Sequence, residues 1–113
     1  MSISRQNLTT VIVTFKSKGV IHNCIKSIDK GIKIIVVDNS KDNKFKEELE
    51  KTYGNVTCIL SNENLGMGGA NNVGIKKANT DFVFILNPDV VLEKDAIDEL
   101  INASNKFSNF VIF

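Results

Sequence analysis

The sequence predicts an α/β domain: a mainly parallel sheet with helices packed on both of its faces. Three observations carry this. Four short runs rich in β-branched residues are continuously apolar rather than alternating, the pattern of strands buried on both sides. A stretch of helical periodicity follows each run. The chain has 113 residues, the size of one domain.

The first run, residues 10–15, reads Thr-Val-Ile-Val-Thr-Phe and is too short for a helix. Ser17 is placed to cap the helix that follows, whose apolar stripe is Val20, Ile21, Cys24, Ile25 and Ile28. Residues 33–37 form the second strand, closed by the turn Asp38-Asn39-Ser40. Phe45, Leu49 and Tyr53, four apart, mark the second helix, and Gly54-Asn55 ends it. Residues 56–60 are the third strand. Residues 61–74, rich in Asn and Gly, are expected as a loop that turns into a short helix through Ala78. Residues 81–86 are the fourth strand, the most apolar, stopped by Asn87-Pro88-Asp89. Ala96, Ile97, Leu100, Ile101 and Phe107 mark the last helix. Residues 110–113 read as the opening of a fifth strand, so the chain is expected to be the N-terminal piece of a longer protein. That apolar end is also expected to pair with a second copy as a homodimer.

Composition excludes several function classes. Fourteen basic against thirteen acidic residues give a net charge of +1, which leaves no electrostatic case for nucleic acid. No apolar run approaches the roughly 18 residues of a membrane span. Residues 1–7 lack the cationic-then-apolar order of a signal peptide, so a cytoplasmic location is expected. Cys24 and Cys58 sit in apolar patterns and read as buried hydrophobes. With one His, a zinc site has no ligand set.

Polar residues cluster where such sheets keep their ligand crevice, just past the strand ends: Thr14, Asp38, residues 61–64 and residues 87–89. Asp38-Asn39 can accept hydrogen bonds from a base or a ribose hydroxyl, or can simply cap a turn. The Asn64–Gly74 segment has three glycines in four positions at 66, 68 and 69. Such a backbone approaches a ligand closely, and N–H groups at the following helix start favour a diphosphate. It lacks the Walker lysine, since Gly74 is followed by Ile75, and it lacks the third glycine of a dinucleotide fingerprint, where Asn71 stands. Asp89 can hold Mg²⁺ or Mn²⁺ with diphosphate oxygens and water, or can serve as a helix-start turn residue.

The ordered set resembles a known family. It runs Val13-Thr14-Phe15, then Val36-Val37-Asp38-Asn39, then Asn64-x-Gly66-x-x-x-Ala70-x-Asn72-x-Gly74, then Phe84-Ile85-Leu86-Asn87-Pro88-Asp89. It is similar to the Rossmann-like nucleotide-binding half of family 2 glycosyltransferases with the GT-A fold, over residues 10–105. The resemblance implies that Thr14 and Phe15 line a base pocket, that Asp38 and Asn39 meet the base end, and that Asn64, Gly66 and Asn72 frame the nucleotide. It implies Asp89, with Asn87, as the metal-binding pair for Mg²⁺ or Mn²⁺. Asn87 replaces the first Asp of the family's Asp-x-Asp motif, as in members that move rhamnose or related sugars. The implied reaction moves a sugar from a nucleotide-diphosphate sugar to a hydroxyl of a saccharide or lipid-linked acceptor, with inversion, in polysaccharide or cell-surface glycan synthesis. The implied setting is the cytoplasm, at the inner face of the membrane, with peripheral membrane association of the full-length protein. The family's acceptor half and catalytic base lie downstream, so this chain is expected to bind nucleotide without transferring sugar. The competing readings are a non-catalytic nucleotide-binding module, a receiver-like signalling domain, for which the Asn64–Gly74 loop has no use, and a nucleotidyltransferase, for which Lys16–Gly19 is too short a loop.

Overall fold

The structure, a computed structural model, describes residues 3–107; the strand expected at 110–113 lies outside them. A short 3₁₀ turn, Arg5–Asn7, leads into β1 (Leu8–Thr14). Then come α1 (Ile21–Lys26), β2 (Lys33–Asp38), α2 (Asn43–Thr52), β3 (Val56–Leu60), α3 (Gly66–Lys77), β4 (Phe82–Leu86) and α4 (Ala96–Phe107). The four strands form one parallel sheet in the order β3-β2-β1-β4. The chain steps outward from β1 to β3, then returns across the sheet to place β4 on the other side of β1. The switch in direction lies between β1 and β4.

Side chains alternate along each strand; both sets are buried in β1 and, after Lys33, in β2, while β3 and β4 at the two sides of the sheet are partly open. Ile12, Ile34, Val36, Cys58, Phe84 and Leu86 pack with Ile21 and Cys24 of α1, Phe45 and Leu49 of α2 and Ile97 of α4. The opposite set, Val11, Val13, Ile35 and Val37, packs with Ala70 of α3. α3 crosses in the return direction, so right-handed connection puts it alone on that face. Phe45 and Leu49, one turn apart on α2, each contribute about 1.5–3 kcal/mol by leaving water.

Local chemistry moves several boundaries. β1 begins at Leu8, two residues before the apolar run, because Leu8 and Thr9 pair with Phe82 and Val83 of β4. It ends at Thr14, because Lys16 takes a left-handed φ of 52° and turns the chain; Phe15 is left 52% exposed. α1 has only six residues and starts after Val20 with no side-chain cap. Ser17 does not cap it; its hydroxyl accepts from the Phe15 N–H at 3.2 Å. The largest correction concerns residues 66–74. They are helix from Gly66 onward, not loop.

α2 also guards the margin of the sheet at β3. Glu50 Oε2 accepts the Cys58 N–H at 2.9 Å and the Lys46 ammonium at 3.0 Å. Lys46 Nζ in turn donates to the Cys58 carbonyl. The Val56 N–H is taken by the Tyr53 carbonyl at 3.3 Å. The Cys58 N–H, then Lys46, hold the Glu50 carboxyl below its usual range. On the outer side, His22 of α1 shares a 2.7 Å hydrogen bond with the Tyr53 hydroxyl, and its other ring nitrogen lies 3.4 Å from Glu48.

Candidate functional site

Parallel strands bring their C-terminal ends to one edge, and the polar residues predicted there meet. The register sets Thr14 opposite Asp38, and Asp38 opposite Leu60. Asp38 is fully buried at this strand end. Its Oδ1 accepts from the Thr14 hydroxyl at 2.9 Å and the Ser40 hydroxyl at 2.6 Å. Its Oδ2 accepts from the Asp42 N–H at 3.2 Å. Three donors and no cation hold the carboxylate in place. Asp42 then caps α2 by accepting the Phe45 N–H at 3.1 Å.

Asn39, next in sequence, is also buried, and its amide is occupied by the protein. Oδ1 accepts from the Ser61 hydroxyl at 2.9 Å and from the Leu65 N–H at 3.2 Å. Nδ2 donates to the Gly66 carbonyl at 3.3 Å. The end of β2 is thereby tied to the end of β3 and to the start of α3. Asn64 Oδ1 accepts the Gly66 N–H at 2.9 Å, and Gly66 has φ 69°, a conformation that favours glycine. Asn72 is exposed further along α3.

The opening of α3 follows from its glycines. The first N–H groups of a helix have no helical partner. Here the Leu65 and Gly66 N–H groups go to Asn39 and Asn64, and Met67 and Gly68 follow exposed; a Cβ at Gly68 would meet nothing within 4 Å, whereas one at Gly69 would stand 3.0 Å from Leu65 Cβ. Gly74 has a different reason: a Cβ there would stand 2.4 Å from Val11 Cγ1. That glycine lets α3 lie down on β1.

Across the switch point, Asn87 and Asp89 follow β4, and both are exposed. The turn is closed by the Val90 N–H on the Asn87 carbonyl at 3.2 Å. The same carbonyl receives the Cys24 thiol at 3.7 Å, so α1 supports the turn from below. Burial, then the nearby Asp89 charge, pushes the Cys24 thiol up to about 11. Among the described residues no group of three or more His, Cys, Asp and Glu could hold a metal. One carboxylate and one amide oxygen are hard donors that suit Mg²⁺ or Mn²⁺ only if ligands from elsewhere complete the shell.

Between the loops after β1 and β2 lies a cleft of ≈ 590 Å³ carrying Lys16, Lys18, Lys41 and Lys44. Only Lys18 among these four has a carboxylate partner, Asp42 at 3.1 Å. The β1–β2 end of the edge is therefore positive, which favours an anionic ligand. Direct contacts join Thr14 to Asp38, Asn39 to Gly66 and Asn64 to Gly66. Phe15, Asn72, Asn87 and Asp89 share the edge or its flanks without touching that network. Ser40, from the turn the sequence marks, and Ser61, from its strand-end cluster, belong to the network, and so does Asp42, which the sequence does not mark.

Known proteins are similar to this chain in sequence and in fold. The chain is 32% identical over 108 residues to the low-salt glycan biosynthesis hexosyltransferase Agl10 of Haloferax volcanii, covering 90% of this chain and 34% of that protein. It is 41% identical over 81 residues to the uncharacterized glycosyltransferase RP339 of Rickettsia prowazekii, covering 71% of this chain and 25% of that one. The chain thus spans a third or less of these relatives. The structure of S. aureus TarS 1-349 in complex with UDP matches with TM-score 0.71 at 21% identity, over 88% of this chain and 32% of that chain. GalNAc-T7 with UDP, GalNAc and Mn²⁺ matches with TM-score 0.70 at 19% identity, over 89% and 21%. The family model described as Glycosyl transferase family 2 matches residues 9–113. With an α/β sheet of GT-A type and a family match over nearly its whole length, this chain belongs to glycosyltransferase family 2.

Proposed function

We propose that this chain holds the nucleotide diphosphate of a sugar donor for an inverting glycosyltransferase. One observation carries the reading: three different polar devices converge on one sheet edge. They are the buried carboxylate of Asp38, the glycine-rich opening of α3, and the exposed Asp89. Asp38, buried and held by Thr14, Ser40 and the Asp42 N–H, fixes the loop walls that would receive the base or ribose. Phe15, half exposed beside it, offers a face for base stacking. The N–H groups at the start of α3 suit phosphate oxygens. Asp89 and Asn87 would hold a divalent cation with the diphosphate, which supplies neutralisation of the leaving group. The hexosyltransferase named among the relatives supports a hexose donor.

Transfer itself belongs, in this reading, to the whole protein. An acceptor hydroxyl must be aligned and deprotonated, and acceptor alignment alone supplies several kcal/mol of a barrier. Those parts are assigned outside residues 1–113, in keeping with relatives about three times longer.

Calorimetry tests the reading. UDP should bind at least tenfold more tightly than uridine, and Mn²⁺ should tighten UDP without affecting uridine. Equal affinities for the two, with and without Mn²⁺, would remove the diphosphate role of α3 and Asp89. Steady sugar transfer by these 113 residues would overturn the division of labour.

A further inference from the structure

We infer that Asn39 is a positioning residue that couples the base end of the site to its diphosphate end, and that it does not touch the nucleotide. The inference rests on the proposed nucleotide site. Asn39 is 6% exposed, and its amide is spent on three protein partners. Oδ1 takes two donors, Ser61 Oγ and Leu65 N–H, and Nδ2 gives a hydrogen to the Gly66 carbonyl. An amide oxygen has two lone pairs, so Oδ1 is saturated. One Nδ2 hydrogen is the amide's remaining capacity, on a side chain that is 6% exposed.

Its position explains its use. Asn39 directly follows Asp38, and the Asn39 N–H extends the ladder to the Thr14 carbonyl at 2.8 Å. Ser61 repeats the tie, giving its N–H to the Asp38 carbonyl at 3.1 Å and sharing its one hydroxyl hydrogen between Asn39 Oδ1 at 2.9 Å and the Asp38 carbonyl at 3.2 Å. The backbone that carries Asp38 is thus braced to residues 61–66. The segment it braces contains no buried apolar side chain between Ser61 and Gly66. Without Asn39, packing does not fix where α3 opens. The left-handed Gly66 is the last link: its carbonyl is turned toward Asn39 Nδ2, and its N–H toward Asn64.

Two variants separate positioning from contact. Asn39→Ala removes the three hydrogen bonds of the amide and leaves the Ser61 ties to the Asp38 carbonyl. Ser61→Ala removes one strut and leaves the Asn39 amide present for any ligand. Amide hydrogen exchange and calorimetry with UDP and uridine are read on both. In both variants, exchange over residues 62–69 should quicken while that of β1 and β2 stays unchanged. UDP affinity should fall about fivefold or more, with uridine affinity held within about twofold. Unchanged exchange at 62–69 in Asn39→Ala would overturn the inference. So would equal losses for UDP and uridine in Asn39→Ala with Ser61→Ala binding both normally, the signature of direct contact. If the wild-type chain binds neither probe, the nucleotide reading fails and the coupling fails with it, while the exchange data still decide whether Asn39 braces α3. Should Asn39→Ala not fold, Ser61→Ala alone decides, by the same two readouts.

Discussion

Gly74→Ala gives the sharpest test of how α3 is seated. The added Cβ would lie 2.4 Å from Val11 Cγ1 and 3.2 Å from Cγ2, where ordinary contact begins at 3.4 Å. Val11 is fully buried and β-branched, so it cannot rotate aside cheaply. Relief needs a shift of about 1 Å between α3 and β1, and overpacking of this kind costs about 1–3 kcal/mol. The severity of the contact puts it near 3. Alanine returns about 1 kcal/mol of helix propensity. The expected net loss is about 2 kcal/mol, or a fall in Tm of about 8 °C for a chain of this size. Urea unfolding of four proteins reads it: wild type, Gly74→Ala, Val11→Ala and the double variant. Truncating Val11 removes both γ carbons from the clash, so Gly74→Ala should cost at least about 1 kcal/mol less in that background. A Gly74→Ala chain as stable as wild type, or one whose cost is the same in both backgrounds, would refute the reasoning.

Asp38→Ala should lower stability by about 2–4 kcal/mol, read as a lower urea midpoint, because two hydroxyls and the Asp42 N–H lose a buried acceptor; unchanged stability would mean that this network carries no load. Glu50 is held below its unfolded range, so it stabilises the fold above about pH 4.3, and that contribution fades as pH falls through the lower folded value. Glu50→Gln should therefore flatten the acid side of the stability profile, and a profile identical to wild type between pH 2 and 5, on an order-of-magnitude scale of the carboxylate range, counts against the clamp. Burial pushes the Cys24 and Cys58 thiols up to about 11 and about 12, so neither should react with a thiol reagent at neutral pH until the chain unfolds. Rapid labelling of the native chain would contradict their placement.

The four strands and their parallel order were legible because continuous β-branched runs admit few alternatives. The site's location followed from topology, since strand ends in such a sheet share one edge. The helical state of residues 66–74 was not legible. Glycine disfavours helix by about 1 kcal/mol each, and the segment holds four. The compensation is non-local: Gly74 lies against Val11, more than sixty residues away, and Asn39 braces the opening. The burial of Asp38 was hidden for a similar reason. Carboxylates are seldom fully buried, and the donors that allow it here come from β1 and from the turn that follows.

The clamp of Lys46 and Glu50 on Cys58 bears on which strands the sheet can accept. An exposed parallel margin is a template, and any extended segment, from the same protein or from a misfolded neighbour, can lie along it. At β3 that template is already written over, because α2 supplies to Cys58 the donor and the acceptor that an incoming strand would bring. A strand arriving at β3 would have to displace both groups at Cys58 before it could register there.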